Sequence, residues 1–524
     1  MSIDSIRSVA NPDSVLSFEL RFTTTAPVIA TLHVEGPGAS FTAKPEARPA
    51  REHSLPVVGL RERSTYQAWV TVPSNGRTVA SKKVTITTGA LPADLPPITT
   101  TSNPKLMAPG VTLFTVTLLA APTAVPGTPA PMLGTAIAVD SSGNVVWYHR
   151  TPLPLSDARM MPNGHILYEY NDMGGQEIDI LGHLVREWAG RLERGALAQD
   201  QYGRTVAGPD AIPVDTDSIH HELSVLPNGN FLTISTELRT VEGFAKPLCG
   251  EAESQFTGSY QLISDVIVEF DPDTGRVVRQ FPIADYLHPQ TNSADANICG
   301  PGGVTMRVVP NSLYPSAPDA HDWTHANAVI LDAKHNRLLV SIRHLDTVLA
   351  IRYRDDRHGR SGAQLWRLGP DGGDFKLVGS GLWQYHQHAL ELEADGSLLL
   401  YDNGNDRPDT DPFFSRAVRY EIHDRGPRSK WTVRQQWEFR SSLDDAPAYA
   451  FFVGDADQLS NGNVLIDNGG IALTGKGVNA QIVEVKPAGR QGGTVVFDLR
   501  VTGPLSFAYR ARRIPSLYSS RART

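Results

Sequence analysis

The sequence predicts an all-β protein, a six-bladed β-propeller preceded by a small N-terminal β-sandwich. Two short phrases alternate along most of the chain, and period-2 apolar runs fill its first ninety residues. The 524 residues also include 45 Gly and 38 Pro, together about 16% of the chain against a usual ~12%, an excess that suits a turn-rich β protein. Hydrophobic residues at 40% and charged residues at 20% describe an ordinary globular composition.

The sandwich, residues 1–90, rests on Val15-Leu-Ser-Phe-Glu-Leu-Arg-Phe22, Val28-Ile-Ala-Thr-Leu-His-Val34, Tyr66-Gln-Ala-Trp-Val-Thr-Val72 and Val84-Thr-Ile-Thr87. Alternation at this spacing places one face of each strand in a core. The step from Leu60 to Thr65-Tyr66 before a strand resembles fibronectin type III domains. Residues 91–110, rich in Pro and Thr, read as a stiff linker.

The propeller, residues 111–524, rests on the repeats. One phrase is a turn and an apolar strand: Met161-Pro-Asn-Gly-His-Ile-Leu167, Leu226-Pro-Asn-Gly-Asn-Phe-Leu232, Ala394-Asp-Gly-Ser-Leu-Leu-Leu400 and Leu459-Ser-Asn-Gly-Asn-Val-Leu465, with a looser copy at Asp332–Val340. Gly164 to Gly229 spans 65 residues and Gly396 to Gly462 spans 66. The second phrase is a strand, a polar turn and a strand ending in an aromatic: Trp147, Trp188, Phe281, Trp366, Trp437 and Phe497 close its six copies. Such a period is the signature of propeller blades. The run Val111–Leu118 is the strand expected to close the ring with the C-terminal blade.

Two Cys exclude a disulfide scaffold and a Cys-based zinc module, and a net charge of −8 with scattered basic residues leaves no nucleic-acid footprint. No stretch nears the ~18 apolar residues of a membrane span, so no membrane partner is expected. Met1-Ser-Ile-Asp-Ser-Ile-Arg7 is not a signal peptide, which leaves a cytoplasmic protein or a periplasmic one whose export signal has been removed. Gly470–Lys476 nearly spells a phosphate loop, but Gly477 stands where Ser or Thr is required, and it reads as a turn.

Histidines fall at one repeat position. His221 and His388 each precede their turn glycine by eight residues, and His325 is the match in the looser copy. Ser156 and Gly454 occupy the position in two other copies. Matched positions in successive blades share a ring about the axis, so three imidazoles converge. His386 shares the face of His388 if the strand is regular there; His220, one residue from His221, points to the opposite face. Arg343 offers a guanidinium for an oxyanion, and Asn327 a neutral donor. Three His admit two chemistries: a transition-metal site of a hydrolase or oxygenase, or a nucleophilic His with cations around an anionic group. Arg343 is useful only to the second.

The segments Asp322-Trp-Thr-His-Ala-Asn327, Ser341-Ile-Arg-His-Leu-Asp346, Gln387-His-Ala389, Tyr401-Asp-Asn-Gly404, Ser415-Arg-Ala-Val418 and Arg513-Ile-Pro-Ser-Leu-Tyr518 resemble the bacterial arylsulfate sulfotransferases, and the likeness covers nearly the whole chain. The resemblance implies sulfuryl transfer between phenols without a nucleotide donor or other cofactor, by a ping-pong reaction through a sulfohistidine. It puts the nucleophile at His388 and supporting roles at His221, His325, Arg343 and Asn327. The implied partners are an aryl sulfate donor and a phenol acceptor; the oligomeric state stays open, a homodimer among those admitted. Family members are commonly exported, and Cys249 and Cys299, 50 residues apart, depart from the close cysteine pair of some members. Loops 189–217, 241–262 and 284–322 are expected to wall the pocket, with Trp383, Tyr385, Phe451 and Phe452 as candidate aromatic walls.

Overall fold

A computed structural model describes the chain apart from residues 44, 120–131, 171, 193–195, 198–206, 243–258, 290–298, 301–303, 306–313, 315, 318–319, 409, 411, 444–445, 472–476 and 519–524. Cys249, most of the phosphate-loop-like segment and much of the three long loops lie outside the described residues.

At the N-terminus, a sheet of Ile3–Ala10, Phe18–Val28 and Ala50–Val57 packs on a five-stranded one centred on Thr31–Gly36 and Thr65–Ser74. Alternation decides which face is buried: Phe18, Leu20 and Phe22 from one sheet meet Tyr66, Ala68, Val70 and Val72 from the other. The Tyr66 hydroxyl donates to the Pro37 carbonyl and accepts from the Arg61 N–H, both at 2.9 Å, pinning the chain before its strand.

Six sheets of four or five strands follow, each with an inner strand that touches its counterparts in the two neighbouring sheets. These inner strands are Ser506–Ile514, Leu155–Met160, His220–Val225, Ala326–Asp332, His388–Leu392 and Asp455–Gln458, and their contacts run in a closed cycle. Val111–Leu119 pairs with Ser506–Ile514, so the first sheet takes its inner strand from the end of the chain and the ring is closed by hydrogen bonds. Apolar clusters fill the spaces between adjacent sheets, including the space between the last and the first.

Both sequence phrases have a mechanical basis. Gly164, Gly229, Gly396 and Gly462 sit at φ of 90°, 88°, 91° and 84°, the left-handed turn conformation that glycine adopts without a Cβ clash. The closing aromatics staple sheet to sheet: Trp147 Nε1–H donates to the Ile180 carbonyl at 2.8 Å, Trp188 to Pro272 at 2.7 Å and Trp437 to Gly492 at 2.9 Å, each on a turn of the next sheet. Within 91–110, Ile98–Ser102 is not linker but the outermost strand of the sixth sheet, paired with Gly493–Thr502. The prolines stand at positions 92, 96, 97, 104 and 109, and Ile98-Thr-Thr-Thr101 between them is the β-branched run that favours a strand.

A β-bulge interrupts five of the six inner strands close to their starts. It falls between Leu155 and Ala158, His220 and Leu223, Ala326 and Ala328, His388 and Glu391, and Ala508 and Ala511. Bulges re-aim side chains beside functional sites, and here they ring one end of the axis.

Candidate active site

The strained backbone of the molecule concentrates on this ring. His221, His325, His386 and Ala389 adopt φ of 60°, 49°, 54° and 50°. Non-glycine residues there cost about 1–3 kcal/mol each and persist where the surroundings over-determine them.

His388 opens its inner strand and is buried. Asn403 Nδ2 donates to the carbonyls of Ala450 and Val453 at 2.7 and 2.8 Å, so its Oδ1 is left to accept. The Nδ1 of His388, 2.6 Å from that oxygen, is therefore the protonated nitrogen, and Nε2 carries the lone pair. Burial, then the charge of Arg343, holds the His388 imidazole well below the ordinary histidine range and keeps it neutral. Gln387 locks the segment in place through its Nε2, 3.1 Å from the Thr347 carbonyl and 3.2 Å from Ser341 Oγ.

His325 stands between two rings. Its imidazole lies 5.0 Å from that of His221 in an edge-on contact and 4.6 Å from that of His344, stacked. Its Nδ1 hydrogen-bonds Asp322 Oδ2, so Nε2 is the nitrogen left for a ligand. His344, buried behind it, donates from Nδ1 to the Asp322 carbonyl at 3.0 Å. Ligating atoms of Asp322, His325 and His344 lie within 4.8 Å of one another; among the described residues no such group includes His221 or His388.

His221 completes the trio. Its Nδ1 is 2.7 Å from Nδ1 of His220, whose Nε2 lies 3.3 Å from Asp265 Oδ1. Strand alternation would separate adjacent residues onto opposite faces, but the bulge and the positive φ of His221 turn both rings the same way. His221 is held well below the ordinary histidine range by burial, then by the neighbouring His220. Burial opposes charge on His220 too, yet the Asp265 carboxylate 3.3 Å away wins, and its pKa is raised.

Arg343, 3% exposed, lies in a short turn after the second strand of the fourth sheet. One Nη donates to the Phe451 carbonyl at 2.8 Å, while Nε is buried with no partner. Among the described residues no carboxylate pairs with it, and burial pulls the guanidinium down to about 10. Asp346, three residues on, accepts the His386 N–H at 2.5 Å and lies 3.3 Å from the ring Nδ1 of His386. His386 precedes the strand, which starts at His388, so the two do not share a face. Asn327 donates from Nδ2 to the Gln387 carbonyl at 2.7 Å, and its own carbonyl accepts from Arg510 at 2.8 Å, while its buried Oδ1 has no partner.

Asn403, Asp322, His344 and Asp265 carried no role in the sequence reading, although the first three lie in or beside its quoted motifs. Tyr509 was missed outright. It occupies the same bulge place as His221, its ring is 5.8 Å from His221, and its hydroxyl is buried and unpartnered. Phe451 and Phe452 are half-buried and in contact, with Phe507 against Phe452 at 5.3 Å, forming an aromatic wall beside Arg343.

Comparison with known proteins gives the chain's family. The family model described as Arylsulfotransferase (ASST) matches residues 100–510, and one described as Arylsulfotransferase Ig-like domain matches 12–89. The arylsulfate sulfotransferase AssT of Escherichia coli O6:H1 is 26% identical over 34% of this chain and 35% of its own length. That of Lelliottia amnigena is 24% identical over 41% of each. The matches thus span well under half the length of these curated relatives. Among solved structures, a Bacteroides caccae protein of unknown function is 13% identical, covers 77% of this chain and 98% of its own, and has a TM-score of 0.39. With the first model spanning most of the sheet ring and the second most of the N-terminal sandwich, the chain belongs to the arylsulfotransferase family.

Proposed function

We propose that the protein is an arylsulfate sulfotransferase, moving a sulfuryl group from a phenolic sulfate ester to a phenol by a ping-pong reaction through a sulfohistidine on His388. The observation that carries this reading is the buried Arg343 guanidinium, paired with no carboxylate among the described residues, beside an imidazole held neutral with its Nε2 lone pair free. A buried unpaired cation is expensive, and an anionic substrate group would offset it.

His388 Nε2 attacks sulfur and the S–O bond to the aryl oxygen breaks, leaving the sulfuryl group on nitrogen. An acceptor phenol then attacks the same sulfur and the N–S bond breaks. Sulfuryl transfer, like phosphoryl transfer, needs positioning and charge stabilisation above all. Arg343 and His325, the latter paired with the Asp322 carboxylate, hold the sulfuryl oxygens. His221 serves the aryl oxygen, and Phe451, Phe452 and Phe507 line the side where the ring lies.

The metal-dependent alternative would use Asp322, His325 and His344. It receives less support, because Asp322 already engages His325 and the cationic Arg343 stands nearby.

Intact-mass analysis after mixing with an aryl sulfate, followed by peptide mapping, tests the reading. A sulfo adduct on His388, absent in His388→Ala and insensitive to chelator, is expected. Turnover lost to chelator and restored by a divalent metal, with no adduct, would overturn it.

A further inference from the structure

We propose that the buried Asp265–His220 pair is the proton store for the leaving phenolate, and that it acts through His221. The inference rests on the sulfohistidine reading and deepens it, since a ping-pong reaction must hold a proton between its halves. The first product leaves as a neutral phenol and takes one proton away; the acceptor phenol brings one in. The store must therefore be protonated in the resting enzyme and deprotonated in the sulfo-enzyme.

His220 has the required placement. Its Nδ1 is 2.7 Å from Nδ1 of His221, and its Nε2 is 3.3 Å from Asp265 Oδ1. Asp265 is itself fixed, its Oδ2 accepting at 2.5 Å from both the Thr324 hydroxyl and the Ala326 N–H. The titratable groups facing His220 are Asp265, Asp172 and His221; the two carboxylates favour its charged form and burial opposes it. With His220 cationic, its Nδ1–H points at His221 Nδ1, which must accept. His221 then carries its own proton on Nε2, the nitrogen left for a ligand.

The ring order puts that proton where an in-line displacement needs it. The leaving oxygen must lie across the sulfur from His388 Nε2. His388 belongs to the fifth sheet and the second lies opposite, with the third, which carries His221, beside it. His325, on the fourth sheet, neighbours His388 and is not across from it. In the donor half, the His221 Nε2 proton goes to the phenolate as the His220 Nδ1 proton moves to His221 Nδ1, and His220 is left neutral. In the acceptor half, the phenol proton enters at His221 Nε2, and the Nδ1 proton returns to His220. Of this pair His220 is the positioning and relay residue, and His221 is the one that touches substrate.

The test is single-turnover phenol release from phenyl sulfate, whose phenolate is basic, and from 4-nitrophenyl sulfate, whose phenolate is not. In His220→Gln, release from phenyl sulfate should fall about 10²–10³-fold and release from 4-nitrophenyl sulfate less than about tenfold. The wild-type rate with phenyl sulfate should decline as pH rises through the pKa of His220, and the variant should lack that limb. Asp265→Asn should move the limb to lower pH. If His220→Gln does not fold, Asp265→Asn decides alone, and an unmoved limb overturns the proposal. Equal losses with both donors, or a limb that survives in His220→Gln, also overturn it. Wild type forming no adduct with either donor would instead overturn the sulfohistidine reading itself.

Discussion

Asn403 accepts the Nδ1–H of His388 at 2.6 Å, and its own amide hydrogens go to the carbonyls of Ala450 and Val453. The carboxamide cannot flip without facing two carbonyls with an oxygen. It therefore fixes both the orientation and the tautomer of the imidazole, and leaves Nε2 as the only basic nitrogen.

Replacing Asn403 with Ala removes this control. A buried hydrogen bond of this kind is worth about 1–3 kcal/mol, so adduct formation on His388 should slow about 10–100-fold. Quenched-flow mass analysis on protein shown by melting to be folded checks this. An unchanged rate would mean that the tautomer is set elsewhere.

Arg343 makes the converse case, a residue that costs stability in the free enzyme. Its guanidinium is buried with Nε unpartnered and no carboxylate paired with it among the described residues. Arg343→Met keeps the volume and removes the charge. Melting should rise by ~1–4 °C while kcat/KM for aryl sulfates falls about 10²–10³-fold. Inorganic sulfate should stabilise wild type and not the variant. A variant that melts lower and still responds to sulfate would remove Arg343 from the anion site.

The turn glycines are the ruler that the repeats offer. Counting back from the turn glycines found His221, His325 and His388 because each has a turn after its inner strand. Tyr509 sits in the matching bulge, but no turn glycine stands after its strand, and the count has no origin there. His220 was set aside by strand alternation, which holds only for unbulged strands, and a bulge is a register event between two strands rather than a pattern in one. Asn403 meets His388 for the same reason, across a hairpin whose register pairs His388 with Tyr401. Ile98–Ser102 was hidden by flanking prolines, and its place depends on the edge of a sheet nearly 400 residues away.

Further along the axis from the histidines, the inner strands line a cavity of about 510 Å³ with Arg159, Arg510, Arg512, Glu222, Glu391 and Asp455. Burial, then the charge of Asp457, pushes Glu391 up to about 8 and Asp455 up to about 7. For a carboxyl raised on folding, stability is fully present below the unfolded pKa of ~4.3 and is lost as pH climbs through the folded value. Above about pH 8 the wild-type protein therefore carries a half-buried negative charge that the unfolded chain would hold more easily. Glu391→Gln removes that charge and keeps an acceptor for the Gln458 N–H. The variant should be more stable than wild type by about 1–3 kcal/mol at about pH 9, with the gap narrowing towards pH ~5. Because Glu391 and Asp455 both face Asp457, adding Asp455→Asn should give less than the sum of the two single effects. Denaturant melts across that pH range decide it: a gap that stays constant with pH would mean that Glu391 is ionised in the folded protein and that its cost is one of packing.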